Sequence, residues 1–334
     1  MKLAILAISD AGRRLASRLR ERLPQTVILD SSGRSTKELL AENWQRYDGF
    51  LCIMAAGIVV RGIAPLIRDK FSDPCVLVLD PEGRFVISLL SGHVGGGNSL
   101  AEKVANITGG VPVITTASDT LGLVPLDLWM LTQNLHCNRQ ELTSLSTLLV
   151  NKGFLKIYSD IDIESLPSGL IEVYSPQEAD LIVSHRIYPG IETPFARPVN
   201  LVVGIGCNRN TPVIEFEEAF TELLTDNTLA RQSIRCLASI DKKNDEIGLL
   251  EFSTRLNIPL EFFSSDQINT LQNLEISFAA LGAVGAIGVA EPTALLGAAS
   301  NSLLCRKRKW KNITMAVALA PCTLSAQVRD QKNI

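Results

Sequence analysis

The sequence predicts an α/β protein: two α/β domains with mainly parallel sheets, joined through a small middle module. Three observations carry this. Short apolar runs alternate with helical stretches over residues 1–130, and the same alternation returns over 199–334. Between them, over 131–198, the pattern weakens into short β-like pieces punctuated by Pro167, Pro176, Pro189, Pro194 and Pro198. Strands that alternate with helices need crossover connections, and crossovers make neighbouring strands parallel. A chain of 334 residues is long enough for two or three such units, each with its own core.

The elements follow in order. Residues 3–8 form an unbroken apolar run, as expected of a strand buried on both faces. Asp10, Arg13 and Arg14 end that run and open a helix over 10–22. A strand at 27–29, a helix reaching about 47 and a buried strand at 50–54 come next, then a helical stretch over 55–67. Runs at 76–80 and 84–88 flank the turn sequence Pro81-Glu82-Gly83 and predict a hairpin, an antiparallel addition to the sheet. A helix over 99–107 and a strand over 111–115 close the first domain. The middle module contributes a β-like piece at 153–158, and the proline-dense stretch 189–198 reads as a linker. The second α/β domain reads as strand 201–204, helix 212–224, strand 235–240, helix 243–256 and strand 260–263. A helix from about Glu291 and a strand over 314–320 complete it.

Composition excludes several functions. With 46% hydrophobic residues, 20% charged residues and a net charge of −3, the chain has a globular profile and no surface for a polyphosphate backbone. The basic run Arg306-Lys307-Arg308-Lys309, with Lys311, reads as a solvated strand face or a local anion patch, so no nucleic acid partner is expected. Seven cysteines stand without a C-x-x-C pair, which suggests neither a zinc site nor a disulfide framework but reduced thiols in the cytoplasm. The first apolar stretch is cut short by charges before a secretory signal could form, and the glycine-rich run 279–290 is too short to span a bilayer. No membrane association is expected.

The densest chemical signal is Ser91-Gly92-His93-Val94-Gly95-Gly96-Gly97-Asn98, between a strand and a helix. Glycines there allow a sharp turn and a close backbone approach, and the helix start that follows favours a negative oxygen. An imidazole among backbone donors is the combination that ester opening requires: a proton carrier beside a site for the oxyanion. A lone histidine in a turn is more often structural; the surrounding glycine run turns the reading toward function.

A second cluster, Ile114-Thr115-Thr116-Ala117-Ser118-Asp119 with Asp127 further on, offers hydroxyls and a carboxylate that can orient a histidine or simply cap a helix. In a third, Arg61 follows Ala55-Ala56-Gly57, and Lys70 precedes Asp73-Pro74; both cations suit an acidic substrate, or surface ion pairs. Gly204-Ile205-Gly206-Cys207-Asn208-Arg209 lacks the third glycine of a dinucleotide fingerprint, which disfavours NAD or FAD, and Cys207 reads as a small turn residue rather than a nucleophile. Lys243, Asp245, Glu246 and Glu291 add polar groups near helix starts. Two α/β domains are expected to hold their ligand between them, beside the carboxyl ends of strands.

In this order the blocks resemble the cobalt-precorrin-5A hydrolase family of anaerobic cobalamin biosynthesis. Ala55 through Arg61, Asp73-Pro74, Ser88 through Asn98 and Ile114 through Asp119 are similar to its N-terminal half. Gly204-Ile205-Gly206-Cys207, Lys243-x-x-Glu246, Val289-Ala290-Glu291, and Lys307 followed by Asn312 through Ala318 are similar to its C-terminal domain. Gly97 and Thr293 stand where the family usually has alanine. The resemblance implies a hydrolase that opens the δ-lactone of cobalt-precorrin-5A and releases acetaldehyde, giving cobalt-precorrin-5B. It implies no protein cofactor, because the substrate carries its own cobalt, and it makes neighbouring cobalamin-pathway methyltransferases candidate partners.

For that reaction, chemistry assigns His93 to activate water or shuttle a proton, with Asp119 orienting it or sharing the transfer. The amides of Gly95, Gly96 and Gly97 would meet the oxyanion. Asn98, Thr115, Thr116 and Glu291 are candidate polar contacts to substrate, and Arg61, Lys70, Arg209 and Lys307 candidate holders of its carboxylates. Two other readings compete. A non-catalytic corrinoid carrier is suggested by the partial match of Ser91 through Gly96 to a D-x-H-x-x-G cobalt-ligating pattern, but serine replaces the aspartate that would back the histidine. A methyltransferase or dinucleotide enzyme of the same pathway is disfavoured by the incomplete glycine fingerprint.

Overall fold

The computed structural model describes residues 1–30, 33–70 and 72–328, which form three major sheets. The first domain contains β1 (Leu3–Ala7), α1 (Asp10–Arg22), β2 (Thr26–Ile28), α2 (Thr36–Asn43), β3 (Gly49–Ile53), α3 (Ala56–Ile63), β4 (Cys75–Leu79), β5 (Phe85–Leu90), α4 (Gly97–Thr108) and β6 (Val111–Val113). Its strand order is β2-β1-β3-β4-β5-β6. Every residue of β1, β3 and β4 is buried, which explains their unbroken apolar sequences. Along β1, Leu3, Ile5 and Ala7 face α1 and α4, whereas Ala4 and Leu6 face α2 and α3.

All pairs in this sheet are parallel except β4 with β5. That one reversal positions the chemistry. Leu90, at the carboxyl end of β5, pairs with Val76, at the amino end of β4. The glycine-rich loop after β5 therefore shares a sheet edge with the segment that enters β4, and the Ala55–Gly57 turn opens on the opposite edge.

The short α5 (Ala117–Leu121) ends the first domain, and the middle module comprises α6 (Leu126–Thr132), β7 (Leu135–His136), α7 (Arg139–Lys152), β8 (Leu155–Ser159), β9 (Asp162–Ile163), β10 (Leu170–Glu172), β11 (Leu181–Val183) and β12 (Phe195–Pro198). Five of these strands make a sheet of order β10-β8-β11-β12-β7 over a core that includes Trp129, Met130, Leu145, Leu149, Ile157 and Val183. The stretch read as a linker thus ends inside a sheet. Proline is tolerated there because the ladder uses its carbonyl: Pro194 O and Ala196 O accept from Ile182 N and Ser184 N.

The third unit comprises β13 (Leu201–Cys207), α8 (Val213–Asp226), β14 (Ile234–Ile240), α9 (Ile247–Leu256), β15 (Leu260–Phe263), α10 (Ser265–Asn269), α11 (Phe278–Val284), α12 (Ala290–Ala298), β16 (Leu303–Lys309) and β17 (Ile313–Leu319). Its order is β15-β14-β13-β17-β16, parallel from β13 to β15 and antiparallel beyond β13. The basic run lies on β16, an edge strand, where charge discourages further pairing. Gly204 is required by close packing: a Cβ there would come within 1.9 Å of Ala290 O on α12. That contact, and not a dinucleotide, accounts for the first glycine of Gly204-x-Gly206.

Past Ala320 the chain leaves this sheet. Its last strand, β18 (Thr323–Leu324), pairs with β9, Leu324 is fully buried in the middle core, and Trp129 Nε1 donates to Ser325 O at 2.9 Å. The tail of the stretch read as the C-terminal domain therefore packs on the middle module, and residues 329–334 lie outside the described residues. Among the described residues no helix is long and apolar enough to cross a membrane.

Candidate active site

The loop between β5 and α4 folds tightly on itself. Ser91 takes a left-handed φ of 54° and Gly96 one of 77°. Gly96 N donates to His93 O at 2.9 Å, Gly97 N to Ser91 O at 3.1 Å, and Asn98 N to Gly92 O at 2.9 Å. A Cβ on Gly95 would stand 2.5 Å from Ser91 Cβ, and one on Gly92 would stand 2.5 Å from Asn98 Oδ1. The glycines make this compactness possible.

The same bonds correct the expected oxyanion site. Gly95, Gly96 and Gly97 are buried, and the amides of the last two are spent inside the loop. A helix start leaves its first amides without intrahelical partners, and here the loop's own carbonyls take them. The glycine run shapes the turn that carries His93, and its Gly96 and Gly97 amides are not free to meet an oxyanion.

His93 is held at both ring nitrogens. Nε2 lies 2.8 Å from Asp119 Oδ2 and 3.2 Å from Ser118 Oγ, on α5; Nδ1 lies 3.4 Å from Asp127 Oδ1, on α6. Asp119 Oδ2 also accepts from Asn98 Nδ2 at 3.0 Å and, in a short bond, from Thr116 Oγ1. Asn98 Nδ2 reaches Thr116 Oγ1 as well, at 3.0 Å, so the amide, the hydroxyl and the imidazole converge on one carboxylate oxygen. Asp119 Oδ1 meets no hydrogen-bond donor among the described residues, and this side chain keeps 34% of its exposure. Asp127 is the more buried carboxylate, at 12%, and its Oδ2 lies 3.1 Å from Lys70 Nζ.

These contacts decide the charge states. Burial opposes an imidazolium at His93, but the bonds to Asp127 and Asp119 outweigh it and raise its pKa. Burial would raise Asp127, yet the His93 bond, the His93 charge and Lys70 hold it down at about 2. Asp119 is lowered in the same way: burial works against it, and Thr116 and His93 prevail. The arrangement thus favours the charged form of each of the three groups.

Of the residues singled out in the first half, the structure brings together His93, Asp119, Asn98, Thr116 and Lys70. Lys70 is engaged by Asp127 while its side chain stays half-exposed. Thr115 is exposed without a side-chain hydrogen bond among the described residues, and Arg61 is exposed on α3 with its guanidinium folded over Gly57, so neither joins the cluster. Sequence reasoning underrated Ser118 and Asp127. Ser118 stood in a recognised block beside Asp119, but nothing local signals that α6 returns Asp127 to the imidazole.

The third domain holds a second feature, a cavity of about 640 Å³. Arg209, Lys242, Lys243, Lys307, Lys309 and Lys311 line it, and Ala279, Ala280, Ala283 and Val284 of α11 supply an apolar wall. Arg209 is paired with Asp245, and Lys307 Nζ lies 3.2 Å from Glu275. Glu291 also lines the cavity but is buried, and one of its oxygens accepts from Lys307 N at 2.9 Å. Lys243 is buried 3.8 Å from the buried Glu246, without a closer ion-pair partner among the described residues. Burial pushes the Cys207 thiol up to about 11, which keeps it protonated and a poor nucleophile. Every lining residue falls within 206–314, so this cavity is not formed between the two α/β domains as the sequence suggested. Among the described residues, no group of three or more His, Cys, Asp or Glu side chains is placed to hold a metal ion.

Comparison with known proteins matches residues 38–119 to the family described as Cobalamin synthesis G N-terminal and residues 201–318 to Cobalamin synthesis G C-terminus. A cobalt-precorrin-5A hydrolase of Priestia megaterium is 33% identical over 314 residues, covering 86% of this chain and 82% of its own. A cobalt-precorrin-5A hydrolase of Salmonella typhimurium is 28% identical, covering 95% of this chain and 97% of its own. A solved structure of a cobalamin biosynthesis protein G homologue from Sulfolobus solfataricus covers 95% of this chain and 97% of its own at 21% identity, with a TM-score of 0.37.

Proposed function

This chain belongs to the cobalt-precorrin-5A hydrolase family, and from that membership we propose that it hydrolyses cobalt-precorrin-5A, opening the δ-lactone and releasing acetaldehyde to give cobalt-precorrin-5B. One observation supports this chemistry above the others: His93, half-buried, shares its Nε2 edge with a carboxylate whose second oxygen is open. Lactone hydrolysis needs a base for the attacking water and an acid for the departing ring oxygen. Asp119 takes the proton from water at Oδ1, and His93 delivers one from Nε2 to the ring oxygen. The freed hydroxyl then returns its proton to His93 as the adjacent carbon–carbon bond breaks, the electron pair of that bond passes into the conjugated macrocycle, and the two-carbon fragment leaves as the aldehyde. One water is consumed overall.

The cavity of the third domain supports the same reading from the side of recognition. Its cationic rim suits the carboxylates of an acidic macrocycle, and the alanine-rich wall of α11 suits the apolar face of a flat ring. Cobalt arrives with the substrate, so the proposal calls on no resident metal or cofactor.

The test is incubation of the purified chain with cobalt-precorrin-5A and measurement of acetaldehyde. Catalytic release that is lost in His93→Ala is expected. Stoichiometric binding without aldehyde would instead favour a corrinoid carrier.

A further inference from the structure

The match to the N-terminal family ends at Asp119, yet the imidazole's second partner comes from beyond it. Asp127 is the second residue of α6, and its helix neighbours Leu126, Trp129 and Met130 are buried in the core of the middle module. The place of this carboxylate is thus set by the middle module, not by the first sheet. Oδ1 accepts from Leu128 N at 2.9 Å and lies 3.4 Å from His93 Nδ1, and Oδ2 lies 3.1 Å from Lys70 Nζ. No other carboxylate reaches Nδ1 among the described residues.

We propose that Asp127 is a positioning residue for the hydrolysis: it holds His93 by Nδ1 and so directs Nε2 at Asp119 and the substrate, making the middle module complete the active centre of the first domain. The inference rests on the proposed function, in which Nε2 carries the proton that moves. With a fixed negative charge at Nδ1, the neutral imidazole formed after that transfer keeps its remaining proton on Nδ1. The reactive edge is then defined in both protonation states. Lys70 moderates the effect, because it draws on the same carboxylate. The groups facing the ring are Asp119 and Ser118 from α5, Asp127 from α6 and, through Asp127, Lys70 from the segment before β4.

A merely structural ion pair would fasten α6 to the loop without acting on the proton. The full-length protein separates the two. It has three histidines, so ring C2–H resonances can be followed against pH by NMR, with His93→Ala identifying the relevant signal. Asp127→Asn is expected to lower the titration midpoint of His93 by about one pH unit or more. The alkaline limb of kcat should move to lower pH by the same amount, because the acid is lost earlier. At neutral pH kcat should fall at least about tenfold with KM little changed, and Asp127→Glu should restore part of it.

Lys70→Met should move the His93 midpoint the other way, upward, and it serves as the second variant should Asp127→Asn fail to fold. A folded Asp127→Asn protein with an unmoved His93 midpoint and an unmoved alkaline limb overturns the proposal. So does an unmoved midpoint in Lys70→Met if that is the only variant that folds. Failure of the underlying function shows differently, as acetaldehyde release that survives in His93→Ala.

Discussion

His93 Nε2 and Asp119 Oδ2 lie 2.8 Å apart, and the same carboxylate oxygen accepts from Asn98 and Thr116. Three groups converge on one oxygen, so this carboxylate is held on one side and, among the described residues, open on the other. Asn98 and Thr116 support Asp119 through these bonds.

Replacing His93 by Ala or Gln is expected to reduce acetaldehyde release by about 10²–10⁴-fold, the usual scale for a lost acid–base group. Asn98→Ala and Thr116→Val should cost less, because either leaves two donors on Asp119. Steady-state rates against substrate concentration check this, with the loss expected in kcat.

The charge states also predict how stability varies with pH. The pKa of His93 is raised in the fold, so its contribution is complete below the ordinary imidazole value and is lost as pH rises through the folded value. Asp119 and Asp127 are lowered, so their contributions are present above the ordinary carboxylate value and are lost as pH falls toward the folded ones, about 2 for Asp127. The cluster is therefore most stabilising between the carboxylate and imidazole ranges. Thermal melts of His93→Gln against wild type should differ most in that window and converge at higher pH.

Charge reversal in the third-domain cavity should act on binding and not on turnover. Lys309→Glu and Lys311→Glu are each expected to raise KM several-fold with kcat nearly unchanged, and the effect should shrink as salt is added, because these side chains are exposed. Initial rates at two ionic strengths provide the check.

Gly95→Ala should be costly on packing grounds alone. The added carbon would lie 2.5 Å from Ser91 Cβ and 2.6 Å from Ser91 O, so the loop must open. A loss of about 1–3 kcal/mol in denaturant unfolding is expected, as for other overpacked sites, together with displacement of the His93 resonance.

Removal of residues 321–334 should weaken the middle module rather than the third domain. It strips the fully buried Leu324 from the core, worth about 1.5–3 kcal/mol, and leaves Trp129 Nε1 without its acceptor at Ser325 O. Tryptophan fluorescence during thermal unfolding should report the earlier transition.

By itself the sequence determined the elements and the ingredients of the site. The apolar run of β1 specified a strand covered on both faces, with Leu3 and Ile5 on one side and Ala4 and Leu6 on the other. The glycine run announced the turn around His93, and the block ending at Asp119 supplied its partner. Such signals are local, because the period of a strand, the freedom of a glycine and the cap of a helix depend on residues a few positions apart. Tertiary structure decided the rest. Only the antiparallel turn of β5 against β4 brings the His93 loop to the edge where Lys70 sits, and only the packing of α6 into another core delivers Asp127 to Nδ1. The strand made from a proline-rich stretch and the return of Leu324 to the middle core were settled likewise, by hydrogen-bond partners and buried surface far away along the chain.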